Sequence, residues 1–400
     1  MKIENGNLRK YKLGEYIDSF GDGIHGTPNY DEKGEYYFIN GNNLKDGQLN
    51  ITEDTLKISS NEYSKIKRSL IPNNTILVSI NGTLGNVALY KSENIALGKS
   101  ACYLNLKDSS FRFFLRYLLE TKEFKNYMNR VAGQSTIKNV SPTQISEYEF
   151  FAPPLESQQK IAAVLSALDD KIALNRRMNA KLELMAKRLY DHWFVQFDFP
   201  NADGKPYKSS GGKMVYSDVL KREIPAGWEA KKLGEIALIK RGTTITEKDT
   251  TKGNVKVVAG GLDFSYYHNQ SNRKANCITV SGSGENAGFV NFWREPIFAS
   301  DCSTVQCEND IDTMLCYFAL KMQEKRFYRI SHKSAQPHIY PKDVAEIPIV
   351  VPNEAVKSKI SDFFLKSNGK IALIEKETQK LTSLRDRLLP LLMNGQVEVR

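Results

Sequence analysis

The chain lacks most of the signatures by which a sequence declares a compartment or a chemistry. Cysteine is scarce: Cys102, Cys277, Cys302, Cys307 and Cys316 form an odd set without a C-x-x-C pair. That argues against a disulfide framework and for reduced thiols in the cytoplasm. No apolar run approaches the ~18 residues of a membrane span, and Met1–Asn7 lack the apolar core of a signal peptide. His25, His192, His268, His332 and His338 show no metal-ligand spacing with each other or with cysteine. Catalytic templates fail as well. Ile95–Ser100 ends like a phosphate-binding P-loop, but Glu93 stands where the first glycine is required. Pro153-Pro154 lacks the preceding Asn or Asp of the adenine methyltransferase motif, and Leu155 replaces its aromatic residue. No Gly-x-Gly-x-x-Gly fingerprint opens a βαβ unit. The expectation is a chain with no catalytic residues, no bound metal and no cofactor of its own.

What is present is a long chain with an ordinary core and a basic balance. At 400 residues, 41% apolar, it is long for one core and favours two or more domains. The formal charge of +10 serves solubility; it favours a nucleic-acid partner only if the excess gathers on one face.

The strongest pattern is a heptad seam that occurs twice. In the first stretch it runs Ile161, Leu165, Leu168, Ile172, Asn175, Asn179, Leu182, Ala186, Leu189 and Trp193. In the second it runs Ile360, Phe364, Ser367, Ile371, Ile374, Thr378, Leu381, Arg385, Leu388 and Leu392, a constant offset of 360 − 161 = 199. Steps of four and three with charge elsewhere mark a long helix that needs a helical partner. Two such helices in one chain can bury their stripes against each other. The tetrapeptide Lys171–Leu174 recurs unchanged at Lys370–Leu373.

Each rod follows a module rich in short strands. In the first, Tyr36–Ile39, Ile76–Ile80 and Asn86–Tyr90 read as strands, and Phe111–Val131 as one helix. In the second, Val255–Val258 and Cys277–Val280 read as strands, and Asp312–Arg329 as a helix. Between them Asn201–Lys213, rich in Gly, Ser, Pro and Lys, reads as a loop or linker. Lys12-Leu13-Gly14-Glu15 recurs as Lys232-Leu233-Gly234-Glu235. The expected organisation is α+β: globular modules at 1–154 and 198–353, separated by long helices at 155–197 and 354–395, with an internal twofold repeat.

Two pairs of loops recur at the same places. Ser79–Gly85 and Ser281–Gly288 are glycine-rich and each follows a strand. They are either hairpin turns of the frame or backbone placed for close approach to a phosphate or base edge. Gly133–Val140 and Lys333–Tyr340 are polar and precede a strand. Their Gln, Asn and Lys side chains suit base edges, and Ser and Thr suit phosphates. The candidate contact residues are Asn81, Gly82, Thr83, Gln134, Ser135, Thr136, Lys138 and Asn139 in the first module. In the second they are Ser281, Ser283, Asn286, Lys333, Gln336, His338 and Tyr340. For the rods, the candidate coiled-coil and partner-docking residues are Ile161, Leu165, Leu168, Ile172, Leu182, Leu189, Ile360, Phe364, Ile371, Leu381 and Leu388.

This arrangement resembles the specificity (S) subunit of type I restriction-modification enzymes over essentially its whole length. The resemblance rests on Ile80-Asn81-Gly82-Thr83-Leu84-Gly85, on Ser141-Pro142-Thr143-Gln144-Ile145, and on Ala152–Ala162 leading into the first rod. Phe199-Pro200 through Gly212, and Ile224-Pro225-Ala226-Gly227-Trp228, add to it. It implies two target recognition domains, each reading half of a split, asymmetric double-stranded DNA site. It also implies that the helices form an antiparallel coiled coil that docks two methyltransferase (M) subunits carrying S-adenosylmethionine. Two restriction (R) subunits, using ATP and magnesium, join where present. A self-sufficient methyltransferase or nuclease, and a coiled-coil scaffold that never touches DNA, are the competing readings.

Overall fold

The computed structural model describes residues 8–133, 138–331 and 338–399. The chain forms two compact units, Met1–Ala173 with Gln379–Arg400, and Leu174–Thr378. Each unit therefore combines one module with a portion of both long helices, so the rods are not domains of their own.

The first unit is built on a four-stranded antiparallel sheet in the order Ile17–Asp22, Ala101–Leu106, Thr75–Ser79, Val87–Tyr90. Thr75–Ser79 is buried along its whole length because both faces are covered. Ile76 and Val78 point to one core with Phe114, Leu115 and Phe124 of the following helices and Ile161 and Leu165 of the first long helix. Leu77 points the other way, to Ile39, Ile95 and Leu97, where Tyr36–Ile39 runs parallel to Ile95–Leu97. Alternation of period two thus feeds two cores at about 1.5–3 kcal/mol per large side chain. Arg9–Lys12 pairs with Glu149–Ala152 and closes the module at the start of the rod.

The second unit repeats the plan. Its sheet runs Leu238–Arg241, Cys302–Gln306, Cys277–Ser281, Val290–Trp293. Ile278 and Val280 face the helical core, while Val258, Trp293 and Ala299 fill the opposite layer. Glu229–Lys232 pairs with Pro348–Val351 as the closing ladder.

Two expected helices are each divided. Phe111–Val131 becomes a short 3-10 turn and helices Arg112–Glu120 and Lys122–Val131. The break is at Thr121, whose backbone is extended and whose hydroxyl donates to Leu118 O (2.7 Å) and accepts from Phe124 N (3.3 Å). One threonine thus ends one helix and caps the next. Asp312–Arg329 likewise becomes Asp310–Met322 and Glu324–Ser331.

The long helices span Leu155–Tyr190 and Glu354–Met393, the first continuing into a π-helical turn at Asp191–Val195. Every seam residue on both is buried or half-buried. In the first unit Ile161 and Leu165 share a core with Leu388 and Leu392. In the second Ala186 and Leu189 share one with Val356, Ile360 and Phe364, and Asn175 Nδ2 donates to Glu377 Oε2 at 2.9 Å. Within each unit the helices run antiparallel. Ile161, Leu165, Ile172, Ile360, Phe364 and Ile371 are buried inside the chain, whereas Leu168, Leu182, Leu189, Leu381 and Leu388 are half-buried. The polar seam position Arg385 does not face outward; it pairs with Asp169 of the first helix at 2.9 Å.

The segment expected to be a linker is packed. Phe199 stacks on Trp228 (4.9 Å) and on Tyr207 (4.6 Å), and Asp198 accepts from Ser209 N (2.8 Å) and Ser209 Oγ (2.6 Å). Its Gly, Ser and Lys content describes the outside of a strap whose inside is aromatic.

Candidate nucleic-acid interface

In each module the two recurring loops are joined. The turn after Thr75–Ser79 is closed by Gly85 N donating to Ser79 O (3.0 Å) and Ser79 N to Asn86 O (2.8 Å). Ser79 Oγ donates to Thr83 O (2.6 Å) and accepts from Asn86 N (2.8 Å). The second module repeats the turn, with Gly288 N donating to Ser281 O and Ser281 N to Phe289 O, both 2.9 Å. Gly82, Gly85, Gly284 and Gly288 have φ of 72°, 76°, 78° and 91°, the left-handed region that glycine enters without Cβ strain.

The polar loop lies against this turn. Asn81 and Asn139 form an isolated antiparallel bridge, flanked by Val140 N donating to Ile80 O at 3.0 Å. In the second module Ser283 and His338 form the same bridge, flanked by Ile339 N donating to Gly282 O at 2.9 Å. The loop then turns into a short helix. Ser141 caps Pro142–Ser146 with Gln144 closing the capping box, which explains the Ser-Pro-Thr-Gln run as part of the frame.

The joined loops present different surfaces. Gly82, Thr83, Lys138 and Asn139 are exposed in the first module, with Lys138 Nζ held by Asn129 Oδ1 at 2.7 Å. In the second, His338 and Tyr340 are exposed and stacked 5.9 Å apart, with Lys342 Nζ 5.8 Å from the Tyr340 ring. Flat rings beside a cation suit stacking on bases and contact with phosphate. Asn81, Ser283 and Asn286 are half-buried.

One candidate in the second module is corrected. Ser281 is 4% exposed at the end of the central strand, and its hydroxyl donates to Gly261 O at 3.3 Å, so it is buried in the frame and not on the loop surface. Ser283 stays at the joined loops, where its hydroxyl donates to the Asp301 carboxylate. Gln134, Ser135, Thr136, Lys333 and Gln336 lie outside the described residues.

Sequence reasoning missed what holds these turns. Ile80 N donates to Ser100 O (2.9 Å), and Gly282 N to Asp301 O (3.3 Å), the same bond in both modules. Ser100 Oγ also bonds Asn40 Oδ1 at 2.9 Å. Ser100 and Asp301 occupy matching places with unlike side chains, so no repeat in sequence marks them.

Each module is fixed to its helix pair through a buried arginine. Arg116, 5% exposed, donates to Asp169 of the first long helix, to Glu120 (3.0 Å) and to Asp46 O (3.2 Å). Tyr117 Oη (2.8 Å) and Arg385 (2.9 Å) also donate to Asp169. Burial alone would raise the Asp169 carboxyl, but Arg116, Arg385 and Tyr117 together hold it below its ordinary value. Burial does raise Glu120 at the edge of the same cluster. In the second unit Arg294 donates to Asn368 (2.8 Å), Glu375 (2.9 Å) and Glu183 (3.0 Å), joining the module to both helices. Among the described residues no group of three or more His, Cys, Asp or Glu is placed to hold a metal ion. No helix among them is long and apolar enough to cross a membrane.

Comparison with known proteins agrees with this architecture. Residues 6–184 and 225–383 match the type I restriction modification DNA specificity domain, once for each module and its adjoining helix. The type I restriction enzyme MjaIX specificity subunit of Methanocaldococcus jannaschii is 27% identical over 100% of this chain and 91% of its own length. The HindI specificity subunit of Haemophilus influenzae is 23% identical over 71% of this chain and 77% of its own. The crystal structure of a type I S subunit from M. genitalium shares the fold, with a TM-score of 0.61 at 20% identity over 98% of both chains. With two matched copies of the domain, the chain belongs to the family of type I restriction-modification DNA specificity subunits, the non-catalytic, sequence-recognising component of those systems.

Proposed function

We propose that the chain reads a bipartite, asymmetric double-stranded DNA site, one half with each module, and docks the enzymes that act on it. The observation that carries this reading is the pair of joined loops. The same two segments are held together by the same bridge in both modules, yet the first offers Lys138 and Asn139 and the second His338 and Tyr340. A shared frame with unlike exposed side chains suits two readers of unlike half-sites.

The long helices, of 36 and 40 residues, each extend roughly 55–60 Å at ~1.5 Å per residue. They act as a ruler that sets an unread spacer between the half-sites. Beside the seam, exposed apolar residues on the rods, Leu174, Met178, Leu184 and Leu373, are the docking surface for two M subunits. S-adenosylmethionine belongs to those subunits, and ATP and magnesium to two R subunits where the system includes them. The assembly works in the cytoplasm.

The test is methyl transfer from labelled S-adenosylmethionine to DNA. The purified chain is expected to transfer none alone and to direct transfer once a cognate M subunit is added. Transfer by the chain alone would overturn the reading in favour of a self-sufficient methyltransferase.

A further inference from the structure

Four of the five cysteines are buried, and three of them, Cys102, Cys277 and Cys302, sit within sheet strands. Burial pushes the thiols of Cys277 and Cys302 up to about 12, and that of Cys102 further; the hydrogen bond with Cys307 and burial raise Cys316 as well, so Cys316 reacts only with a sulfur already beside it. Cys307 and Cys316 are placed differently from the other three. Cys307 follows the strand Cys302–Gln306 and is partly exposed, whereas Cys316 is 1% exposed on the helix Asp310–Met322. Their sulfurs are 3.6 Å apart.

We propose that Cys307 and Cys316 form a peroxide-responsive dithiol, a modification site in which Cys307 is oxidised first and Cys316 resolves it to a disulfide. The division of labour follows from access, since only Cys307 can meet a solute. It also follows from the surroundings. A hydrogen bond from Cys316 lowers the Cys307 thiol, against the opposing effect of burial; Thr313 and Lys357 add to the lowering, and Asp312 opposes it. The segment is fixed rather than loose: Cys307 N donates to Thr313 Oγ1 (3.0 Å), which donates to Asn309 O (3.0 Å). Lys357 Nζ is shared between Asp312 (3.2 Å) and Glu354 (2.6 Å).

The chemistry balances with a hydroperoxide as oxidant. The Cys307 thiolate attacks one peroxide oxygen, the O–O bond breaks, and the departing oxygen takes a proton and leaves as an alcohol, or as water from hydrogen peroxide. Cys307 is then a sulfenic acid. The Cys316 sulfur attacks the Cys307 sulfur, the S–O bond breaks, and hydroxide leaves as water with the proton from Cys316. Two thiols have lost two electrons, and the peroxide has gained them. The sulfurs close from 3.6 Å to ~2.05 Å.

The test uses the reduced full chain and hydrogen peroxide near stoichiometry, followed by denaturation, alkylation and peptide mapping. The expected result is the loss of two of the five alkylatable thiols with a Cys307–Cys316 cross-linked peptide. Cys316→Ser should instead leave a sulfenic acid at Cys307 that dimedone captures, and Cys307→Ser should leave the other four thiols alkylatable. Retention of all five thiols in the wild type, or a disulfide that joins other cysteines, would overturn the proposal.

Discussion

Asn81 and Asn139 face each other across an isolated antiparallel bridge, and Ser283 and His338 do the same in the second module. The bridge is made by the backbone, so the side chains beside it can change without loss of the frame. Asn139→Ala, assayed in the complex with an M subunit, is expected to cost about 1–3 kcal/mol of affinity and to relax selectivity within one half-site only. Lys138→Ala should weaken binding to all sequences alike and reduce the slope of log K against log salt by about 1. Fluorescence anisotropy on a panel of singly substituted duplexes separates the two; equal losses across both half-sites for Asn139→Ala would contradict the assignment.

The turn glycines differ in what surrounds them. A Cβ at Gly288 would lie 2.4 Å from Phe327 Cβ, on top of a φ of 91°. One at Gly82, φ 72°, meets nothing within 4 Å. Gly82→Ala should therefore cost only the left-handed backbone strain, about 1–2 kcal/mol, and Gly288→Ala should cost more. Urea unfolding of both variants checks the ranking.

Asp169 ties the first module to both helices through Arg116 and Arg385. Asp169→Asn leaves two guanidinium groups short of a partner, one of them buried, and is expected to cost about 3 kcal/mol at neutral pH. The sign of its pH dependence follows from the lowered folded pKa. The carboxylate contributes stability above its unfolded-state pKa, about 3.9, and loses it as pH falls through the lower folded value. The gap between wild type and Asp169→Asn should hold from neutral pH down to about 4 and shrink below that. A gap that grows in acid would show that the ion pairs do not stabilise the unit.

The seam was legible because a heptad repeat states its own burial: every seam position, including Asn175 and Arg385, is turned inward. The loops were legible because they recur beside matching strands. What escaped were contacts between distant, unrepeated residues. Nothing in the sequence pairs Arg116 with Asp169, 53 positions later on another element. Asn201–Lys213 read as a loop or linker by composition, yet Tyr207 inside it stacks on Phe199 before it, and Phe199 stacks on Trp228 beyond it. Ser281 looked available because sequence shows that a strand ends there but not how deeply. Thr121 hid a helix break because one threonine scarcely disturbs an apolar periodicity.

The central claim is that two unlike readers are held at a distance set by the paired helices. Methylome sequencing of cells carrying the chain and its M partner tests it most directly, with a second strain bearing matched insertions of about seven residues, one heptad, after Asn179 and after Ile374. The expected result is one asymmetric, two-part motif in the wild type, and the same two half-sites with a changed spacer in the variant. A single contiguous motif, or altered half-sites with an unchanged spacer, would contradict the account.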